Sequence, residues 1–171
     1  MAYEINTYIN NEEDSARFIL GYDNTNPLIV IGVNSSTAND QLPDATIRRV
    51  LGYMKRNELD GFLMLNVYPQ RATNPDCLSK ECNELLHKQN LEHIKNVLKA
   101  HSNSIVLVAF GDTILKRSYL KQCFDDIAQA ILKYKPQWKQ IGNLTIQGNP
   151  RHPSRGAYQD LNNFNILQYL K

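Results

Sequence analysis

The chain reads as an α/β protein, a sandwich of helices around a parallel β-sheet, and three observations over its 171 residues point there. Three short runs rich in β-branched and other apolar residues recur at 28–33, 61–67 and 105–110. A strand that is apolar on both faces belongs in the middle of a covered, parallel sheet. Each run is followed by a polar loop and then by apolar residues at helical spacing, so the order is β-α-β-α-β-α-β-α. Apolar residues make up 42% and charged residues 21% of the chain, which supports a real core and argues against disorder. With no internal repeat, low-complexity tract or linker, residues 1–171 are read as one domain.

Residues 1–26 are polar with short apolar touches, and read as a flap or edge strand closed by a turn at 24–27. The first central strand, 28–33, stops at the polar loop 34–40. Pro43 and Asp44 open a helix, since proline's missing N–H is not needed in a first turn and aspartate favours its positive end. Ile47, Val50, Leu51 and Met54 form its buried stripe. The second strand, 61–67, carries Asn66 near its end. Ser79 is placed to cap the next helix, whose stripe runs from Cys82 and Leu85 to Val97 and Leu98. His87, His93 and His101 on or near that helix have no i, i+4 pairing and read as surface or boundary residues. The third strand, 105–110, is closed by Gly111 and Asp112. A third helix buries Ile114, Leu115, Leu120, Phe124 and Ile127 and breaks at Pro136, with Trp138 in the core. Residues 144–146 read as a short fourth strand, and 160–170 as a closing helix with Leu161, Phe164, Leu167 and Leu170 inward.

A formal net charge of +2 makes no bulk commitment to nucleic acid or membrane. Three cysteines without Cys-x-x-Cys spacing argue against a disulfide framework or zinc site, and read as buried thiols in a reducing cytoplasm. The first residues lack a basic and an apolar signal region, and no run approaches the roughly 18 apolar residues of a membrane span.

In such a sheet the ligand lies beyond the carboxyl ends of the strands. That rim gathers Asn34-Ser35-Ser36, Asn66, Gly111-Asp112 and the loop 148–158, Gly-Asn-Pro-Arg-His-Pro-Ser-Arg-Gly-Ala-Tyr. Its two prolines keep the loop out of helix and central strand, leaving His152 on a stiff segment between two arginines. The rim has no Walker loop, dinucleotide fingerprint, Gly-x-Ser-x-Gly elbow or Cys/His metal spacing, so neither cofactor nor metal is expected. A primary amide can both donate to and accept from a planar base edge, and an imidazole can hydrogen-bond a developing anion. Those parts suit a nucleobase held as a leaving group. The plainer alternative is that Asn34 and Asn66 tie loops together and that His152 faces water. A third is serine chemistry at Ser35 or Ser36 with His152 as base, for which no carboxylate is placed to orient the ring.

The blocks at 34–38 (Asn-Ser-Ser-Thr-Ala), 44–49 (Asp-Ala-Thr-Ile-Arg-Arg), 65–73 (Leu-Asn-Val-Tyr-Pro-Gln-Arg-Ala-Thr) and 148–153 (Gly-Asn-Pro-Arg-His-Pro) resemble the signature blocks of domain of unknown function 1643, an uncharacterised bacterial and phage family. Ser35 stands where that family usually has proline. More distantly, Gly32-Val33-Asn34-Ser35, Met64-Leu65-Asn66, Val108-Ala109-Phe110-Gly111 and His152-Pro153-Ser154 are similar to the strand-end motifs of the uracil-DNA glycosylase superfamily. That likeness implies a three-layer αβα sandwich with a central four-stranded parallel sheet in the order 2-1-3-4. It implies that Asn34 positions an attacking water, that Asn66 reads the base alongside Ser35, Ser36 and Gly111, and that His152 stabilises the base as an anion while an N-glycosidic bond breaks, as in DNA repair. The partner is then a nucleobase, nucleotide or DNA, with no membrane and an open oligomeric state. Arg155 and Gly156 replace the apolar wedge that fills a duplex, which favours single-stranded over duplex DNA. Neutral Asn34 replaces the usual aspartate, and residues 35–43 hold no evident aromatic platform. These departures keep open a non-catalytic nucleobase- or nucleic-acid-binding module, with Arg48, Arg49, Arg71, Arg151, Ser154 and Arg155 as phosphate contacts.

Overall fold

The computed structural model describes residues 3–171. Three continuous apolar runs form buried parallel strands: β3 (Pro27–Gly32), β4 (Gly61–Asn66) and β5 (Ile105–Val108). A fourth parallel strand, β6 (Gln137–Ile141), pairs with β5. Two antiparallel strands from the N-terminal segment, β1 (Thr7–Asn10) and β2 (Arg17–Tyr22), extend the sheet on the β4 side. On the other side β7 (Leu161–Asn163) pairs antiparallel with β6. The sheet is therefore seven-stranded and mixed, in the order β1-β2-β4-β3-β5-β6-β7, and not the four-stranded parallel sheet expected. Its middle four strands are parallel, in the order second-first-third-fourth along the chain.

Successive strand residues point to opposite faces, and each face has its own helical cover. Leu28, Val30, Phe62, Met64 and Leu107 pack beneath α1 (Ala45–Arg56) through Ile47, Val50 and Met54. Ile29, Ile31, Leu63, Val106 and Val108 pack beneath α2 (Glu84–Ala100) and α3 (Ser118–Ile131). Asp44 caps α1, its carboxylate accepting from the Ile47 N–H at 2.9 Å.

Several expectations need correction. The fourth strand is not 144–146, which is a turn with Ile146 fully exposed. Strand β6 starts instead directly after Pro136, with Gln137 exposed and Trp138, Gln140 and Ile141 buried. Residues 160–170 are not one helix: β7 covers the otherwise open edge of β6, and the single-turn helix α4 (Ile166–Tyr169) follows, capped by Asn165. Leu167, Leu115 and Leu85 are exposed rather than inward. Asn83, not Ser79, caps α2, while Ser79 is bonded to the Gln70 side chain. His87 is buried and lies 3.0 Å from Asp126, and His101 lies 2.7 Å from Asp23. Among the three free cysteines, Cys77 is exposed, whereas Cys82 and Cys123 sit with their sulfurs 3.9 Å apart.

Candidate functional site

The carboxyl ends of β3 and β5, the segment after β4 and the loop 148–158 enclose one cleft of about 760 Å³. Backbone bonds carry the sheet up to its rim: Val67 N–H donates to Gly32 O at 2.8 Å and Tyr68 N–H to Val33 O at 2.9 Å. Gly32 forms part of the floor because it has no side chain. A Cβ there would stand 2.6 Å from Met64 Cε and 3.2 Å from the Asn66 amide.

His152 lines this cleft and is half-buried. Its Nδ1 lies 3.2 Å from the backbone nitrogen of Ser154, which can only donate, and 2.7 Å from Ser154 Oγ. Nδ1 is therefore the acceptor, and the neutral ring carries its proton on Nε2. Burial holds the imidazole pKa below its ordinary 6.5, the Arg155 charge adds to that, and Asp44 pulls weakly the other way. Two features bring the ring here. Gly111 takes a φ of +60° and donates its N–H to Pro150 O at 2.8 Å, and a Cβ on it would lie 3.2 Å from His152 Cβ. Arg49 of α1 donates to Pro153 O at 3.1 Å and to Gly156 O at 2.8 Å, holding the loop from both sides of Ser154 and Arg155.

Asn34 also lines the cleft. Its Nδ2 is spent on the carbonyls of Ala72 (2.7 Å) and Ser35 (2.9 Å), while Oδ1 has no donor among the described residues. Asn66 does not reach the cleft wall. It is fully buried, and its amide, oriented to satisfy both atoms, donates to Asn34 O at 3.1 Å and Leu65 O at 3.3 Å. Asn66 thus supports Asn34 from below. Ser35 is likewise fully buried, its hydroxyl donating to Pro69 O at 3.0 Å, which removes it as a nucleophile. Ser36 and Gly111 line the cleft.

The predicted phosphate contacts divide. Arg151, Ser154 and Arg155 line the cleft, with the Arg151 Nε bonded to Asn143 O at 2.8 Å. Arg71 is occupied by Ser36 O at 2.6 Å, Asp14 at 3.1 Å and the Tyr8 hydroxyl, Arg49 by the His152 loop, and Arg48 is exposed outside the cleft. Asp44, Arg17 and Lys116 also line the cleft, although the sequence marks Asp44 only as a helix opener, places Arg17 inside a polar flap and gives no signal for Lys116. The signal for Arg17 was present: a lone cation followed at once by the apolar run Phe18-Ile19-Leu20.

Among the described residues there is no group of three or more His, Cys, Asp or Glu placed to hold a metal, and no helix long and apolar enough to cross a membrane. The model of a family described as "Protein of unknown function (DUF1643)" matches residues 17–154, well over half of the chain. Neither a curated protein nor a solved structure matches it.

Proposed function

The chain belongs to the DUF1643 family of proteins of unknown function, and we propose that it holds a nucleobase in the cleft and hydrolyses the N-glycosidic bond behind it. The observation that carries this reading is the pairing of a neutral His152, proton on Nε2, with an Asn34 whose Oδ1 is unspent, in one cleft. The bond between the base nitrogen and the sugar carbon breaks with its electron pair on the base. The Nε2–H donates to the base as that charge grows, and water adds through its oxygen to the sugar carbon, its proton ending on the base. Asn34 Oδ1 accepts from this water, and Asp44 supplies the negative charge opposite the sugar cation that a neutral amide lacks. A preorganised donor of this kind contributes roughly 3 kcal/mol of barrier lowering. Base release from uracil-containing or damaged single-stranded oligonucleotides and free nucleosides is accordingly expected, and His152→Ala should lower it by about 10²–10³-fold. Release no greater than from a double Asn34→Ala, His152→Ala variant would sink the reading.

A second reading, a non-catalytic binding module, is favoured by one observation. Asn66 is sealed beneath the cleft rather than set in its wall, so the residue meant to read the base instead braces Asn34. Binding of single-stranded DNA that weakens steeply with salt, without base release, selects this second reading.

A further inference from the structure

Neither reading uses Arg17, the first residue of β2. It lines the cleft yet is 2% exposed. Its Nη1 donates to Ala38 O at 2.6 Å, its buried Nε has no acceptor, and no carboxylate lies within ion-pair distance among the described residues. Burial is the main cause lowering its pKa to about 10 and the Arg71 charge adds to it, while Asp44, beyond ion-pair distance, pulls the other way. A buried cation without a paired carboxylate destabilises a fold, and an apolar residue of similar volume is usually better tolerated. Such a residue is expected where a ligand supplies the missing charge.

We infer that Arg17 is the counter-ion for an anionic group of the ligand, a phosphate that enters through the cleft and pairs side-on with its guanidinium. The side chain has the planar fork that suits a phosphate, with Nη1 fixed by Ala38 and Nε unspent. Its surroundings agree: four cations line the cleft (Arg17, Lys116, Arg151 and Arg155) against two carboxylates (Asp44 and Asp112). Of those carboxylates, Asp112 is held by Thr145 at 2.6 Å and Asn149 at 2.9 Å. The anion site stands on this geometry alone, while its assignment to the phosphate of a nucleotide or of a nucleic-acid strand rests on the reading above. It makes a nucleotide the preferred ligand over a free nucleoside.

The full chain is titrated at constant ionic strength with inorganic phosphate, deoxyuridine, deoxyuridine monophosphate and a short single-stranded oligonucleotide without terminal phosphate. Calorimetry and thermal unfolding are read for the wild type, Arg17→Met and Arg17→Lys. The wild type is expected to bind deoxyuridine monophosphate on the order of tenfold to a hundredfold more tightly than deoxyuridine, as a charge-assisted contact gives. That preference should vanish in Arg17→Met and survive in part in Arg17→Lys. Phosphate should raise the unfolding midpoint of the wild type alone, and Arg17→Met should melt no lower than the phosphate-free wild type. Preference for the mononucleotide over the oligonucleotide identifies a terminal phosphate, and the reverse a strand phosphate. A wild type indifferent to phosphate overturns the inference whatever the variants do. So does an Arg17→Met protein with undiminished preference, or one that melts lower while phosphate affects neither protein, since Arg17 then only ties down Ala38. If Arg17→Met does not fold, the preference is read from Arg17→Lys, and full retention there counts against the inference. Phosphate binding through Arg17 without base release from any probe leaves the anion site standing and removes the glycosidic reading. Base release equally fast from nucleoside and nucleotide, in wild type and Arg17→Met alike, does the opposite.

Discussion

The location of one proton on His152 decides what the rim can do chemically. The Ser154 N–H aimed at Nδ1 is satisfied only when that nitrogen is bare, so the ring presents Nε2–H as a neutral donor. Burial and Arg155 both oppose a second proton and lower the folded pKa below 6.5. The unfolded chain then binds the proton more readily than the folded one. The contribution to stability is complete above the unfolded value and is lost as pH falls through the folded one. Comparing unfolding midpoints at pH 7.5 and 5.5 tests this directly, because His152→Gln keeps a donor but cannot titrate. The wild type is expected to lose more stability on acidification than His152→Gln. His93, whose pKa burial also lowers, is present in both proteins and cancels. Base release should have its acid limb below pH 6.5, since the reacting form is the unprotonated ring. A rate that instead falls as pH rises through the His152 pKa would mean that His152 works as a cation.

Among the cations of helix α1, Arg49 serves the site by holding the His152 loop rather than as one of a row of phosphate ligands. Prolines remove N–H donors from the loop, and Pro153 O and Gly156 O take theirs from Arg49. Arg49 supplies both and stacks 3.7 Å above the Tyr158 ring. Replacing it with alanine is expected to cost about 1–2 kcal/mol of loop order, discounted for its partial exposure. That loosens His152, so base release should drop roughly tenfold, equally for substrates with and without phosphate, with little change in the unfolding midpoint. A loss confined to the affinity of phosphate-bearing probes would restore the role read from its charge. The same contrast shows what the sequence made legible. Strands β3, β4 and β5 announce themselves because each is a continuous apolar run, and the α1 stripe because its spacing is helical. Charge alone gives a cation's face and not its partner, so Arg49 and Arg71 looked like ligands while both hold loop carbonyls. At a strand end one step of register decides between rim and interior, which is why Asn34 and Ser36 reach the cleft but Ser35 and Asn66 do not.

The whole molecule depends on a segment beyond residue 154, where the family match ends. Strand β7 closes the β6 edge, and helix α4 returns Tyr169 against Phe124 and Phe164, with ring centroids 5.7 Å and 5.2 Å apart. The Leu144–Ile146 stretch looked more like a strand than Gln137 to Ile141 because short apolar alternation is ambiguous, and only the edge that β7 covers resolves it. Tyr169 also reaches the site: its hydroxyl donates to Asn149 Oδ1 at 2.8 Å, and Asn149 donates to the cleft residue Asp112. Phe164 and Ile166 are each 6% exposed, and burying side chains of this size contributes about 1.5–3 kcal/mol apiece. Together that is a large share of the roughly 5–15 kcal/mol that holds an ordinary domain folded. Ending the chain at Asp160 should therefore abolish the cooperative thermal transition, although the whole family-matched region, 17–154, is retained. Tyr169→Phe separates packing from the bond: it keeps the ring and loses about 1 kcal/mol, or roughly 2–4 °C in the unfolding midpoint. Because Asn149 and Asp112 are freed in that variant, base release should fall more than the midpoint shift accounts for. A truncated chain that melts cooperatively at the wild-type temperature would show that the sheet closes without β7.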